Sequence, residues 1–212
     1  MHLPDGFLAP SVWIPMAVAS AGAVAFAARK ARTAADPERV PLMGVLGAFV
    51  FATQMINFPV AAGTSGHLVG GVLLAVLLGP HVATLVMTAV FVVQCFLFQD
   101  GGVTTLGANI FNMGIVGTYG GTLLYRGLHR LLPRRVARVG ATMGACWLSI
   151  VVSAALVAVE LGLSGVVDIG ASLVAMCGVH AVIGLGEGAV TVGVLGFLSR
   201  VRPDLLAGEA SA

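Results

Sequence analysis

An all-α, polytopic membrane helix bundle of about seven spans is the fold class this sequence predicts, and three observations predict it. Of the 212 residues, 58% are hydrophobic and only 9% charged, with a mean hydropathy of +1.01. A soluble domain carries roughly 25% charged residues. The apolar residues gather into runs of spanning length separated by short polar breaks. All 11 Lys and Arg fall within residues 29–39, 126–138 and 200–202.

The runs come in this order. The first, about 10–28, ends in Arg29-Lys30 and Arg32, and a polar linker with Asp36, Pro37, Glu38 and Arg39 follows. The second is about 40–58. A Gly/Ser/Thr loop over 61–66 leads to a short run, 67–78, which Gly79-Pro80 breaks. The fourth is 81–98, closed by the polar Gln99-Asp100-Gly101-Gly102. The fifth, 106–125, ends in the basic segment 126–138. The sixth is 139–161, the seventh 171–198, with a loop over 162–170 between them. Seven spans put the three basic clusters on one side, which the positive-inside rule makes cytoplasmic. The N-terminus is then outside and the C-terminus inside. The chain reads as a single integral membrane domain, with residues 1–9 an N-terminal segment, 10–199 the bundle and 200–212 a cytoplasmic tail.

Several chemistries are excluded. There is no GxxxxGK[ST], no HExxH, and no GxSxG beside a His and an acid. The chain is not an enzyme and has no ATPase of its own; energy for transport comes from a partner or a gradient. Cys95, Cys146 and Cys177 lie in apolar runs without CxxC spacing and read as packing residues. No positive n-region precedes the first run, so a signal peptide is not expected. Met1 is expected to be retained, because His2 is too large for methionine aminopeptidase. No internal repeat of the kind that builds inverted-repeat transporters is visible.

The start, Met1-His2-Leu3-Pro4-Asp5-Gly6-Phe7, is a ready chelator. The Met1 α-amine, the His2 amide nitrogen and the His2 Nδ1 can close two rings on one metal in a plane. The fourth corner is open, and His67 is placed by topology on the same outer face. Planar nitrogen sets suit Ni(II), Cu(II) or low-spin Co(II), not oxygen-seeking Mg(II) or Ca(II). The outer loops carry hydrogen-bonding rather than anionic residues: Asn57, Ser65, Gln94, Asp100, Thr105 and Asn109. These fit an outer shell that orients ligands. Asp5 is expected to fold the N-terminal strand back by capping. His180 and Glu187, two turns apart in the last span, are intramembrane ionisable groups that either support a site or pin helices. Ala17, Ala21 and Ala25 form a small-residue stripe suited to a partner helix. His81 and His129 read as interfacial.

These residues carry a resemblance to the CbiM/NikM family, substrate-capture (S) components of energy-coupling factor (ECF) ABC transporters for cobalt and nickel. The motifs are Met1-His-Leu-Pro-Asp-Gly-Phe7, Asn57-Phe-Pro-Val60, Gly63-Thr-Ser-Gly-His-Leu-Val-Gly-Gly71, Phe98-Gln-Asp-Gly-Gly-Val-Thr-Thr-Leu-Gly-Ala-Asn109, Asn112-Met-Gly114 and His180…Gly184…Glu187-Gly188. The resemblance implies an S-component bundle with an extra N-terminal helix in a prokaryotic plasma or inner membrane. It implies Co(II) or Ni(II) as the transported ligand, held by Met1, His2 and His67, with no resident cofactor. The implied partners are a transmembrane coupling (T) subunit, two cytoplasmic ATPases, in some members a small accessory membrane protein, and the lipid bilayer, with no nucleic acid. A gradient-driven metal transporter or channel using Glu187 and His180 is the alternative.

Overall fold

The computed structural model describes residues 1–34, 39–60 and 65–210, the side chains of 33, 34 and 207–210 excepted. The expectations for Asp36, Pro37, Glu38 and Gly63-Thr64 lie outside these residues. Helix α1 runs Pro10–Ala34 and starts on a proline, whose missing N–H is no loss in a first turn. Helix α2 is Val40–Gln54, and α3, Gly71–Leu78, joins α4, Pro80–Phe98, at Gly79-Pro80. Gly79 has φ +77°, a turn that glycine tolerates and that separates the two helices at the expected break.

A single helical stretch then covers α5, Leu106–Asn109, a π-helical segment, Ile110–Gly120, and α6, Gly121–Leu131. Helices α7, Ala137–Leu163, and α8, Ile169–Val201, complete the bundle. The Asp168 carboxylate caps α8 by accepting the Ala171 N–H at 2.8 Å. A 3-10 turn, Pro203–Ala210, folds back and buries Leu206. Among the described residues four helices are long and apolar enough to cross a membrane: Pro10–Arg32, Pro80–Phe98, Ala137–Leu163 and Ile169–Val201. Among the described residues the chain is overwhelmingly helical and its apolar outer surface, with Leu97, Leu123, Val174 and Val182 exposed, suits lipid.

Two boundaries differ from the sequence reading, and both shape the site. The second run stops being helical at Gln54, four residues before Phe58. Phe58–Pro59 (β1) instead pairs antiparallel with Ser65–Gly66 (β2), Phe58 opposite Gly66. The third run is helical only from Gly71, although Leu68 and Val69 look like its first turn. The Val69 and Gly70 N–H groups are taken by a side chain from α8, and Gly70 has φ +78°, so 67–70 stays an irregular entry into the bundle. At 8 residues α3 is about 12 Å long. It is buried almost throughout and crosses the π segment at Gly71, where a Cβ would meet the Gly117 backbone at 2.8 Å.

Gly184 and Gly188, one turn apart on α8, serve internal packing. A Cβ at Gly184 would lie 2.7 Å from Ile150, and one at Gly188 would lie 2.8 Å from the Met143 sulfur. These contacts let α7 and α8 approach closely. Ala17 is similarly engaged within the bundle, its Cα lying 2.4 Å from where a Gly107 Cβ would stand, while Ala21 and Ala25 are exposed.

Candidate metal centre

The N-terminal segment enters the bundle and becomes part of its core. Met1 and Leu3 are fully buried. The Leu3 carbonyl accepts from Gly102 N at 2.8 Å, Thr105 Oγ1 at 2.5 Å and Asn109 Nδ2 at 3.2 Å, and the Leu3 N–H donates to Asn109 Oδ1 at 2.9 Å. Asp5 ties the segment back onto the turn ahead of α5. Its carboxylate accepts the N–H groups of Val103 at 3.0 Å and Thr104 at 2.7 Å, and the Thr104 hydroxyl. Those hydrogen bonds hold its pKa below the usual carboxylate range. Gly102 permits this docking, because a Cβ there would stand 2.2 Å from the Asp5 nitrogen.

The docked segment brings three nitrogen-bearing groups together. The Met1 amine contacts the Ser65 carbonyl, and the Ser65 hydroxyl at 3.2 Å. Burial lowers its pKa to about 4 against the opposing pull of Asp100, so near neutral pH the amine is uncharged and carries a lone pair. The His2 ring stacks on the His67 ring with centroids 4.7 Å apart and planes 16° from parallel, and meets Phe91 edge-on at 5.6 Å. His2 Nδ1 lies 3.3 Å from Asp100 Oδ1. Burial lowers the pKa of His2, opposed by Asp100. For His67, burial pushes the pKa well below the ordinary imidazole value. For Asp100, burial pushes the pKa up, and the adjacent His2 nitrogen more than offsets it. Both imidazoles are therefore neutral at neutral pH.

His67 is also fixed in one tautomer. Its Nδ1–H donates to the Leu68 carbonyl at 2.8 Å, leaving a buried Nε2 lone pair with no hydrogen-bond partner. Metal-binding histidines are oriented in this way by an outer partner. Among the described residues no three His, Cys, Asp or Glu side chains converge as a metal cluster. A metal here draws on main-chain nitrogen, and the donors at hand, an amine, an amide and two imidazoles, fit the borderline-soft transition metals.

A polar relay ties these parts to α8. Gln94, beside His2, donates to Gln54 Oε1 at 2.9 Å, and Gln54 donates to the Val69 carbonyl at 2.7 Å. Val69 N and Gly70 N donate to the two Glu187 oxygens at 2.6 and 3.1 Å. Glu187 thus pins the loop that carries His67. Glu187→Gln leaves one of those buried N–H groups without an acceptor, at about 1–3 kcal/mol. Metal titration of the purified variant is expected to give binding weaker by about 5- to 150-fold; unchanged affinity would mean that the loop does not depend on the carboxylate.

Of the residues singled out from sequence, Met1, His2, Asp5, Ser65, His67, Gln94, Asp100, Thr105, Asn109, His180 and Glu187 gather at this end of the bundle or on its support. Asn57 is exposed at the bend before β1, outside the centre. Gln54 forms the middle of the relay. One buried carboxylate was missed. Glu160, buried near the end of α7, accepts from Asn112 Nδ2 at 2.8 Å. A lone carboxylate in an apolar run is the signal that would have flagged Glu160.

Residues 2–205 match the family model CbiM, described as the cobalt uptake substrate-specific transmembrane region. The chain belongs to the CbiM family. A Haloquadratum walsbyi protein named for metal transport is 42% identical over 97% of this chain and 93% of its own length. The fused nickel transport protein NikMN of Rhodobacter capsulatus is 33% identical over 98% of this chain and 64% of its own length. A Halobacterium salinarum protein named for cobalt transport is 32% identical over 97% of this chain and 96% of its own length. The crystal structure of a truncated transition metal transporter superposes with a TM-score of 0.87 at 32% identity, covering 94% of this chain and 99% of that one. This CbiM-family chain is accordingly a multi-pass membrane protein of a prokaryotic transport family.

Proposed function

We propose that the chain is the substrate-specific membrane subunit of an ECF-type ABC importer. It binds Co(II) or Ni(II) at the outer face for uptake driven by partner ATPases. The supporting observation is the burial of a free α-amine beside two neutral imidazoles, one of them locked with its Nε2 lone pair free. Such a set is costly to bury unless a ligand satisfies it. The ion is held by the Met1 amine, the His2 amide nitrogen and Nδ1, and His67. The bundle is oriented with the N-terminus outside and the basic clusters inside, and has seven spans if α2, the short α3 and the α5–α6 stretch each count as one. A coupling T subunit and two ATPases supply the energy, with a small accessory membrane protein in some assemblies.

Capture expels the amide proton of His2, because only the deprotonated nitrogen donates to the metal. Affinity is therefore expected to rise with pH, by about tenfold per unit for one proton released. Radiometal uptake into cells tests the assembly. Uptake is expected only when coupling and ATPase subunits accompany the chain. Uptake by the chain alone, abolished by Glu187→Gln, would favour the gradient-driven alternative. Both Glu187 oxygens are already engaged by backbone N–H groups, which speaks for support of the loop rather than proton carriage.

A further inference from the structure

We infer that His180 is a fifth nitrogen donor, on the axis of the plane formed by Met1, His2 and His67, and that it favours Co(II) over Ni(II). The inference rests on the reading of that centre as a Co(II)/Ni(II) capture site.

His180 projects from α8 and is fully buried. Its Nδ1–H donates to the Met176 carbonyl at 2.7 Å, one turn back on the same helix. That bond fixes the tautomer, so Nε2 carries a lone pair, and Nε2 has no hydrogen-bond partner. His67 is prepared in the same way, by a backbone carbonyl on Nδ1 and an unpartnered Nε2. By contrast His81, outside the centre, pairs its Nδ1 with the Tyr119 hydroxyl. A buried imidazole kept for packing alone gains nothing from an acceptor aimed at no donor.

The place of that lone pair is set by the loop. His180 Nε2 lies 3.6 Å from the point a Cβ on Gly66 would occupy. Gly66 stands between Ser65, which touches the Met1 amine, and His67. Glycine at 66 lets α8 approach the loop closely, since a Cβ there would stand 2.7 Å from Ile183 Cδ1. Two turns further along α8, Glu187 grips Val69 and Gly70, so helix and loop are held in register at two levels.

A fifth donor separates the two metals by electron count. Planar Ni(II), d8 and low-spin, fills its axial orbital and takes no donor there. Low-spin Co(II), d7, keeps one electron in that orbital and accepts an axial nitrogen. The nitrogen plane serves both ions, and His180 adds binding to one.

The test uses the detergent-purified full chain with its native N-terminus, loaded anaerobically with Co(II) or Ni(II) salts. Electron paramagnetic resonance of the Co(II) form is expected to show a three-line splitting from one axial nitrogen. His180→Gln is expected to lose the splitting and to bind Co(II) about tenfold or more weakly, with Ni(II) affinity and thermal unfolding unchanged. Added imidazole is expected to restore the splitting in His180→Ala. An unchanged Co(II) spectrum in His180→Gln would overturn the inference, as would an equal loss for both metals, which marks a structural role. If the unaltered chain binds neither ion, the capture reading itself fails.

Discussion

One residue added ahead of Met1 is expected to weaken Co(II) and Ni(II) binding by at least about 10²-fold while the bundle stays folded. The extension turns the terminal amine into an amide and moves it out of register with His2. Four nitrogen donors of a tight site share about 10–16 kcal/mol, or about 2.5–4 kcal/mol each. Each 1.4 kcal/mol is tenfold, so losing one donor weakens binding by about 10²–10³-fold. The extension also crowds the Ser65 contact and displaces a fully buried Met1. The fold should survive, because the segment is anchored further on. Leu3 is tied to Gly102, Thr105 and Asn109, and Asp5 to Val103 and Thr104. Isothermal titration and thermal unfolding on the same sample separate the two effects. An extended chain that binds as tightly as the native one would remove the amine from the ligand set.

His67→Ala is expected to weaken binding by a similar factor, about 10²–10³-fold, through loss of the fourth donor. It differs in what remains. The amine, the amide and the His2 ring persist as a three-nitrogen chelate, so a weak complex survives with water in the fourth place. The substitution also removes the ring that stacks on His2 at 4.7 Å and leaves Leu68 without its side-chain donor. Titration with and without added imidazole checks this. Imidazole should recover part of the affinity in His67→Ala and none in the N-terminally extended chain. Unaltered affinity in His67→Ala would place the fourth donor elsewhere.

The membrane character, the break at Gly79-Pro80 and the grouping of Met1-His2 with His67 were legible because each leaves a local mark: runs of apolar residues, a glycine-proline pair, a terminal histidine. The irregular entry at 67–70 was not legible. Leu68 and Val69 look helical, and what keeps them out of the helix is a carboxylate more than a hundred positions away. Asp5 was read as a capping residue, but nothing near it in sequence names its partners, which lie at 103–104. The anchor of the N-terminal segment is the Leu3 carbonyl, a main-chain atom that no side-chain pattern advertises. Ala17 looked like an outward stripe with Ala21 and Ala25, but the approach of Gly107 consumes it. In each case the deciding interaction joins backbone to a distant element, and sequence spacing carries no trace of it.

The central claim is a planar nitrogen site built on the chain's own terminus. Nickel content and spectrum of the purified chain, with Met1 unmodified, test it most directly. The expected result is one tightly held Ni(II) per chain in a yellow, diamagnetic complex, as a planar four-nitrogen field requires. A green, paramagnetic, six-coordinate ion, or no retained nickel, would contradict it.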